Sequence, residues 1–204
     1  MSVVDGGSSS GLVQRVQDIL MRPGPTWEKI DGEAATVRGL YTGYVCILAA
    51  IPAVCGVIGS LTFRHVVFAP LGLVGAVIGY GLTLLGVYVM ALVIDALAPS
   101  FGGQKNPVQA FKVSAYSGTA MWLAGVFQIV PMLSPLAIVG LYSLYLLYRG
   151  LPKLMKVSDD KAIGYTAVVI VAMLAIYLVI GLVMGSMALV GLGTAAIGMG
   201  GMMR

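Results

Sequence analysis

The chain has 204 residues, of which 59% are hydrophobic and only 10% are charged. A soluble domain of this size carries about 25% charged residues, so the composition excludes an ordinary soluble domain and predicts a polytopic membrane protein. Twelve Lys and Arg against eight Asp and Glu is a small basic excess. Because no basic run is present, no nucleic-acid partner is predicted.

Residues 1–10 are small and polar and are predicted to be disordered. Residues 11–38 are predicted to form short cytoplasmic helices. The first is amphipathic, because its apolar residues share one helical face: Leu12, Val13, Val16, Ile19 and Leu20. Such a helix either lies on the membrane surface or packs on the protein itself. A second helix is expected to begin at Thr26.

Five membrane-spanning helices are predicted within residues 39–190, giving an all-α helix bundle preceded by the interfacial helix. They lie at about 40–61, 71–92, 113–130, 136–148 and 163–188. The fourth is shorter than the roughly 17 residues that a crossing needs. Either it uses residues of the preceding turn, or the third and fourth form a hairpin that crosses incompletely. Residues 191–204, rich in Gly and Met, are predicted to be a flexible tail.

Aromatic residues near the start of the bundle are predicted to lie at the membrane boundary. They are Trp27, Tyr41 and Tyr44. Pro52 lies in the middle of the first span and predicts a kink there.

The distribution of basic residues predicts the orientation. With a cytoplasmic N-terminus and five crossings, ten of the twelve basic residues lie in the cytoplasm. They are Arg15, Arg22, Lys29, Arg38, Lys105, Lys112, Arg149, Lys153, Lys156 and Lys161. The far side keeps Arg64 and Arg204. We therefore expect the C-terminus on the far side of a bacterial inner membrane.

Three pairs of glycines have the GxxxG spacing that brings membrane helices close together. The pairs are Gly39 with Gly43, Gly75 with Gly79, and Gly181 with Gly185. They predict close helix packing, either within one chain or between copies.

Asp95 follows an apolar run that begins at Val66, so its carboxylate needs either water or a partner. One interpretation places it at the membrane surface, at the end of the second span. The other pairs it with Lys112 or with the hydroxyl of Tyr116, which would clamp the second and third spans together.

No catalytic, metal or cofactor site is predicted. Cys46 and Cys55 are too far apart on one helix for a disulfide, and His65 is the only histidine. Met184, Met187, Met199, Met202 and Met203 cluster late in the chain. Thioethers suit Cu(I), but flexible packing residues are the interpretation we favour.

The motif RPGPTW at residues 22–27 and the central stretch IDALAPSFGGQKN...VQAFKVSAYSGTA resemble the bacterial branch of the Yip family. The resemblance covers about residues 12–180. Eukaryotic members of this family are polytopic proteins that bind Ypt/Rab GTPases and act in vesicle traffic. Because bacteria have no such Rab-driven traffic, no GTPase partner is expected here.

The family also carries an acidic residue with a proline shortly after it, and a tyrosine motif early in span three. Asp95 with Pro99, and Ala115-Tyr116-Ser117, match these marks. The proline that often follows the tyrosine is Ala120 here, so no kink is predicted there. The resemblance and the charges together give one candidate cluster: Asp95, Pro99, Lys112, Tyr116 and Ser117.

Two functions follow as hypotheses. The first is a non-enzymatic scaffold that organises or shapes the lipid bilayer through contacts with itself or with other membrane proteins. The second is a small transporter, channel or lipid-moving protein with a polar site around Asp95 and Tyr116.

Overall fold

The computed structural model describes residues 9–63 and 69–202, and this part of the chain is helical without strands. The α-helices are α1 (Ser9–Met21), α2 (Pro23–Gly32), α3 (Val37–Leu40), α4 (Cys46–Phe63), α5 (Ala69–Leu97), α6 (Pro107–Ser117), α7 (Thr119–Ala124), α8 (Tyr142–Met155) and α9 (Asp159–Met202). A π-helix (Tyr41–Val45) joins α3 to α4, and 3-10 helices occupy Ala98–Phe101, Gly125–Ile129 and Pro131–Leu141. Ser9 and Ser10, predicted to be disordered, begin α1. Residues 1–8, and the turn with Arg64 and His65, lie outside the described residues.

Within the described residues, four helical segments are long and apolar enough to cross a membrane. They are Val37–Thr62, Leu73–Phe101, Met132–Met155 and Asp159–Ser186. These segments confirm an all-helical polytopic membrane protein and match four of the five predicted spans. The predicted third span is not among them, because the chain breaks at Gly118 and continues as two short helices, α7 and a 3-10 helix.

The fourth span gains its length from the preceding turn. The 3-10 helix Pro131–Leu141 has 11 residues and continues directly into α8. A 3-10 helix rises about 2.0 Å per residue, so these residues extend about 22 Å, where an α-helix would extend about 16 Å. The fourth span, which seemed too short to cross the membrane, is therefore longer than the same residues would be in an α-helix.

Residues 107–155 form a hairpin beside α4. The hydroxyls of Tyr44 and Thr119 are 2.7 Å apart, and a methyl group at Gly59 would overlap the carbonyl oxygen of Gln128. The descending arm therefore runs parallel to α4 and reaches the level of Gly59. The returning arm pairs with it where the Met121 amide donates to the Ser143 hydroxyl over 2.9 Å.

Helices α1 and α2, which we call the cap, pack on the protein itself. Ile19, Trp27 and Ile30 are fully buried, and the Tyr142 hydroxyl of α8 donates to the carbonyl of Leu20. Of the two interpretations of the amphipathic helix, the structure favours packing on the protein. Helix α2 begins at Pro23, not at the predicted Thr26, because proline is compatible with a first helical turn.

Helix α9 runs for 44 residues along the edge of the bundle. Only 6% of its most apolar stretch is buried within the protein, so this stretch faces away from the rest of the bundle. The backbone stays helical through residue 202, where the sequence predicted a tail without regular structure. No proline interrupts this segment, and glycine alone weakens a helix by only about 1 kcal/mol per residue.

Candidate functional site

A group of tyrosines lies where the cap meets the bundle, and the π-helix positions the first of them. In a π-helix the hydrogen bonds run from i to i+5, which shifts the following side chains around the axis. The Tyr44 hydroxyl contacts Thr119, whose own hydroxyl donates to the carbonyl of Tyr116 over 2.7 Å. Tyr44 is therefore the donor to Thr119. The side chain of Tyr44 is only 5% exposed, so it packs within the protein and does not face lipid.

Tyr116 lies at the centre of this group. Its ring centre is 4.7 Å from that of Tyr44 and 6.2 Å from that of Trp27, and both contacts are edge to face. The guanidinium carbon of Arg15 lies 5.9 Å from the same ring centre. Residues of α1, α2, the π-helix and α6 thus meet around one ring. We call Arg15, Trp27, Tyr44 and Tyr116 the aromatic junction.

Trp27 fits against a glycine of α8. A methyl group at Gly150 would lie 2.7 Å from the Trp27 ring, so only glycine leaves room for the indole. Trp27 is 0% exposed, and its prediction as a headgroup anchor is therefore wrong. No local pattern indicates this contact, because Trp27 and Gly150 are distant in the chain.

Arg15 and Glu33 form an ion pair inside the cap. One guanidinium nitrogen donates to both carboxylate oxygens, over 2.6 and 2.8 Å. Both side chains are largely buried, which limits screening by water. The pair ties the first helix to the segment that follows α2. The distribution of basic residues predicts only a cytoplasmic location for Arg15.

Lys112 binds the C-terminal end of α2 and not Asp95. Its ammonium donates to the carbonyls of Ile30 and Glu33, over 2.7 and 2.6 Å. A cation at this end of a helix satisfies free carbonyls and interacts well with the helix dipole. Burial lowers the pKa of Lys112 from its ordinary value, while the carboxylates of Glu33 and Asp31 act in the opposite direction.

Asp95 holds the loop between α5 and α6. It lies in the last turn of α5, not beyond the helix as predicted, and its carboxylate accepts the amide of Asn106 over 2.7 Å. The side chain of Asn106 in turn caps α6 by accepting the amide of Gln109. The predicted pairing of Asp95 with Lys112 or Tyr116 is wrong. Pro99 lies in the 3-10 helix that begins this loop.

Ser117 faces a different region from Lys112 and Tyr116. It lines a cavity of about 140 Å³ between α5, α6, α8 and α9, and its hydroxyl donates to the carbonyl of Val113 over 2.6 Å. The five residues of the predicted cluster are therefore divided among three places: the loop, the cap and the cavity.

Two ion pairs add to the edge of the cap. Lys153 pairs with Glu28, and Lys156 pairs with Asp31. The hydrogen bond from Lys153 lowers the pKa of the Glu28 carboxyl from its ordinary value. Exposed pairs of this kind add little to stability, so they guide the fit of the cap more than they hold it.

The glycine pairs differ in what they face. Gly75 and Gly79 lie opposite Met184 of α9, at 3.7 and 3.5 Å from where their methyl groups would be. Gly181 and Gly185 face open space within 4 Å. Gly39 lies beside the Thr36 hydroxyl that caps its own helix, and Gly43 lies in the π-helix.

Comparison with known proteins gives a family and a set of relatives. The pattern of the Yip1 domain matches residues 18–181. Inner membrane protein YohC of Escherichia coli (strain K12) is 28% identical over 167 residues, which cover 76% of this chain and 86% of that protein. The protein of the same name from E. coli O6:H1 (strain CFT073) matches equally well. No solved structure matches the chain.

Proposed function

Because the chain belongs to the Yip1 domain family, we propose that it is a non-enzymatic scaffold of the bacterial inner membrane. It is an integral, multi-pass membrane protein, and a relative is an inner membrane protein. In this role it organises or shapes the bilayer through contacts with itself or with other membrane proteins. The orientation that we propose keeps the cap and the N-terminus in the cytoplasm.

One observation carries this proposal: the cap is joined to the bundle as a single body. Trp27 fills the space over Gly150, and Lys112 binds the end of α2. A loosely tethered helix adapts to the lipid around it. A cap fixed by buried contacts instead widens the protein at one membrane face, and this asymmetry supports a role in shaping the bilayer.

The open glycines of α9 support contacts between copies. Among the described residues, none lies within 4 Å of a methyl group placed at Gly181 or Gly185, and a small-residue face lets a second helix approach closely. Replacing Gly181 with Ile tests this part of the proposal by cross-linking in membranes. Leu182→Ile, one position away, is the matched control. Equal cross-linking of both variants and the wild type would argue against this face.

The positions of Asp95 and Tyr116 do not support the transport hypothesis. Asp95 is bound to the loop amide of Asn106, whereas the ring of Tyr116 is enclosed by Trp27 and Tyr44. The two groups thus belong to different contacts and do not face one shared polar path.

The test is reconstitution at increasing protein density, with vesicle size and shape measured by electron cryomicroscopy. We expect the wild type to change vesicle curvature, Gly150→Ala to lose part of this effect, and Gly32→Ala to keep it. A methyl group at Gly32 meets nothing within 4 Å, so this variant is a matched control. Unchanged vesicles at high density would overturn the scaffold proposal. Ion flux or lipid scrambling that disappears in Asp95→Asn would favour transport instead.

A further inference from the structure

The cavity between α5, α6, α8 and α9 lies at the depth of the hydrocarbon layer. On α5 its wall includes Thr83 and Met90, which lie near the middle of the span Leu73–Phe101. On α9 the wall runs from Met173 to Ile180, within the span Asp159–Ser186. A guest of this cavity therefore comes from the interior of the bilayer.

Four hydroxyl groups of the wall already form hydrogen bonds within the protein. Ser114 donates to the carbonyl of Val87 over 2.7 Å, Ser117 to that of Val113, and Thr83 to that of Gly79. A hydroxyl has one hydrogen to donate, so these three keep none for a guest. Ser143 accepts the amide of Met121. Since most of the remaining wall is apolar, the cavity favours a hydrocarbon guest.

The cavity opens sideways on the lipid-facing surface. Its deep wall includes Trp122 and Leu147, both buried, whereas Leu141, Leu174 and Tyr177 are exposed at its rim. The opening therefore lies between the end of the 3-10 helix Pro131–Leu141 and α9. In a membrane this surface is covered by lipid chains.

The break at Gly118 shapes the deep wall. A methyl group at Gly118 would lie 2.9 Å from the ring of Trp122, so the glycine lets the indole fold back against the chain. Gly118 and Trp122 both line the cavity. The same residue that breaks the predicted third span thus forms part of the cavity wall.

From these observations we infer that the cavity binds the end of one acyl chain of a membrane phospholipid, inserted between Leu141 and Leu174. An apolar cavity of about 150 Å³ in another protein holds benzene, so 140 Å³ holds about six carbon atoms of a chain. The chain gains no hydrophobic free energy on entry, because it leaves one hydrocarbon environment for another. Its gain is the dispersion contact that the walls of an empty cavity lack. This site is independent of the scaffold proposal.

Photolabelling tests this site in the full-length protein. The probe is a trace of phospholipid with a diazirine at the end of one acyl chain, in vesicles of phosphatidylethanolamine and phosphatidylglycerol. We expect mass spectrometry to find labels on the buried Trp122, Met90 or Leu147, which lipid outside the cavity cannot reach. Labels confined to exposed residues such as Leu174 and Tyr177 would overturn the inference.

A filled cavity provides the matched control. Ser117→Leu places a larger apolar side chain in the cavity and removes only a hydrogen bond within α6, so we expect label on the buried wall to fall several-fold. Ser186→Leu makes the same change on an exposed part of α9 and should leave the labelling intact. Equal labelling of the buried wall in both variants would contradict the site.

A second measurement uses only one substitution in the cavity wall, at Trp122, whose fluorescence reports the contact. A phospholipid brominated near its chain end quenches tryptophan fluorescence on contact. We expect it to quench the wild type more strongly than Trp122→Phe, which retains only the buried Trp27 of the cap. Equal fractional quenching in both proteins would overturn the inference, even if Ser117→Leu failed to fold.

Discussion

The ammonium group of Lys112 lies 2.7 Å from the carbonyl oxygen of Ile30, a residue 82 positions earlier in the chain. This buried bond, together with the one to Glu33, joins α6 to the end of α2. The lysine that looked from the sequence like a partner for Asp95 instead holds the cap on the bundle.

Replacing Lys112 with Met should therefore loosen the cap. Lys112 is 2% exposed, and hydrogen bonds to a charged group contribute about 1.5–3 kcal/mol each to stability. We expect Lys112→Met to lower the free energy of unfolding by at least about 1.5–3 kcal/mol, measured by thermal unfolding in detergent. Lys105→Met, which changes an exposed lysine of the same loop region, is the control. Equal unfolding temperatures for the two variants would show that the hydrogen bonds of Lys112 contribute little to stability.

Gly150→Ala should displace Trp27. The added methyl group would lie 2.7 Å from the indole, and overpacking of this kind costs about 1–3 kcal/mol. In a Trp122→Phe background, where Trp27 is the only tryptophan, we expect its fluorescence to shift to longer wavelengths. Gly32→Ala adds the same group in open space and should leave the spectrum unchanged. An unshifted spectrum for Gly150→Ala would contradict the contact.

The hydrogen bond between Tyr44 and Thr119 should appear as a coupling energy. Both residues are buried, and the bond joins the π-helix to the start of α7. A double-mutant cycle of Tyr44→Phe and Thr119→Val should give a coupling of about 1 kcal/mol in unfolding free energy. Additive effects of the two substitutions would show that the hydroxyl groups of Tyr44 and Thr119 do not interact.

Cysteine labelling should resolve the orientation and the depth of the hairpin. In a background with Cys46 and Cys55 changed to Ala, Lys105→Cys should be protected from an impermeant reagent in spheroplasts. Met132→Cys, at the tip of the hairpin and 89% exposed, should react from outside. Ser186→Cys marks the far end of the span Asp159–Ser186. If Ser186→Cys reacts and Met132→Cys does not, the hairpin crosses only part of the bilayer.

The Glu28–Lys153 pair should make a small part of the stability depend on pH. The pair lowers the pKa of Glu28 in the folded protein, so its contribution is present above the unfolded pKa and is lost as pH falls through the folded pKa. We expect wild type to melt slightly above Glu28→Gln at about pH 7 and equally at about pH 3. A difference in melting temperature that is the same at both pH values would rule out the pair as its source.

The sequence was sufficient for the class of protein and for most of the spans. Apolar runs and charge counts depend only on local composition, so the spans that contain Tyr44, Asp95 and Ser186 were found. The third span was not, because its chain breaks at Gly118 to fit the Trp122 ring. A glycine within an apolar run carries no local sign of such a break.

The candidate site was predicted less well, for a related reason. Lys112 and Tyr116 were singled out, but their partners Ile30, Trp27 and Arg15 lie in the cap. Matching residues by their expected depth in the membrane favoured Asp95 as the partner, since Asp95 was expected at the same membrane surface as Lys112 and Tyr116. Membrane depth alone does not show which neighbouring helix a side chain faces. The packing of α2 over α6 decides the partners of Lys112 and Tyr116.

The contact between cap and α8 also sets the order of assembly during synthesis. Leu20 and Tyr142, which bond to each other, are 122 residues apart. At about 5–20 residues per second, the ribosome takes about 6–25 seconds to make the intervening chain. Through that interval the cap lacks the part of its docking surface that α8 supplies, and the apolar side chains of Ile19 and Trp27 need the membrane surface or a chaperone as a temporary partner. The N-terminal cap is therefore completed only after α8, much later in the chain, has been made.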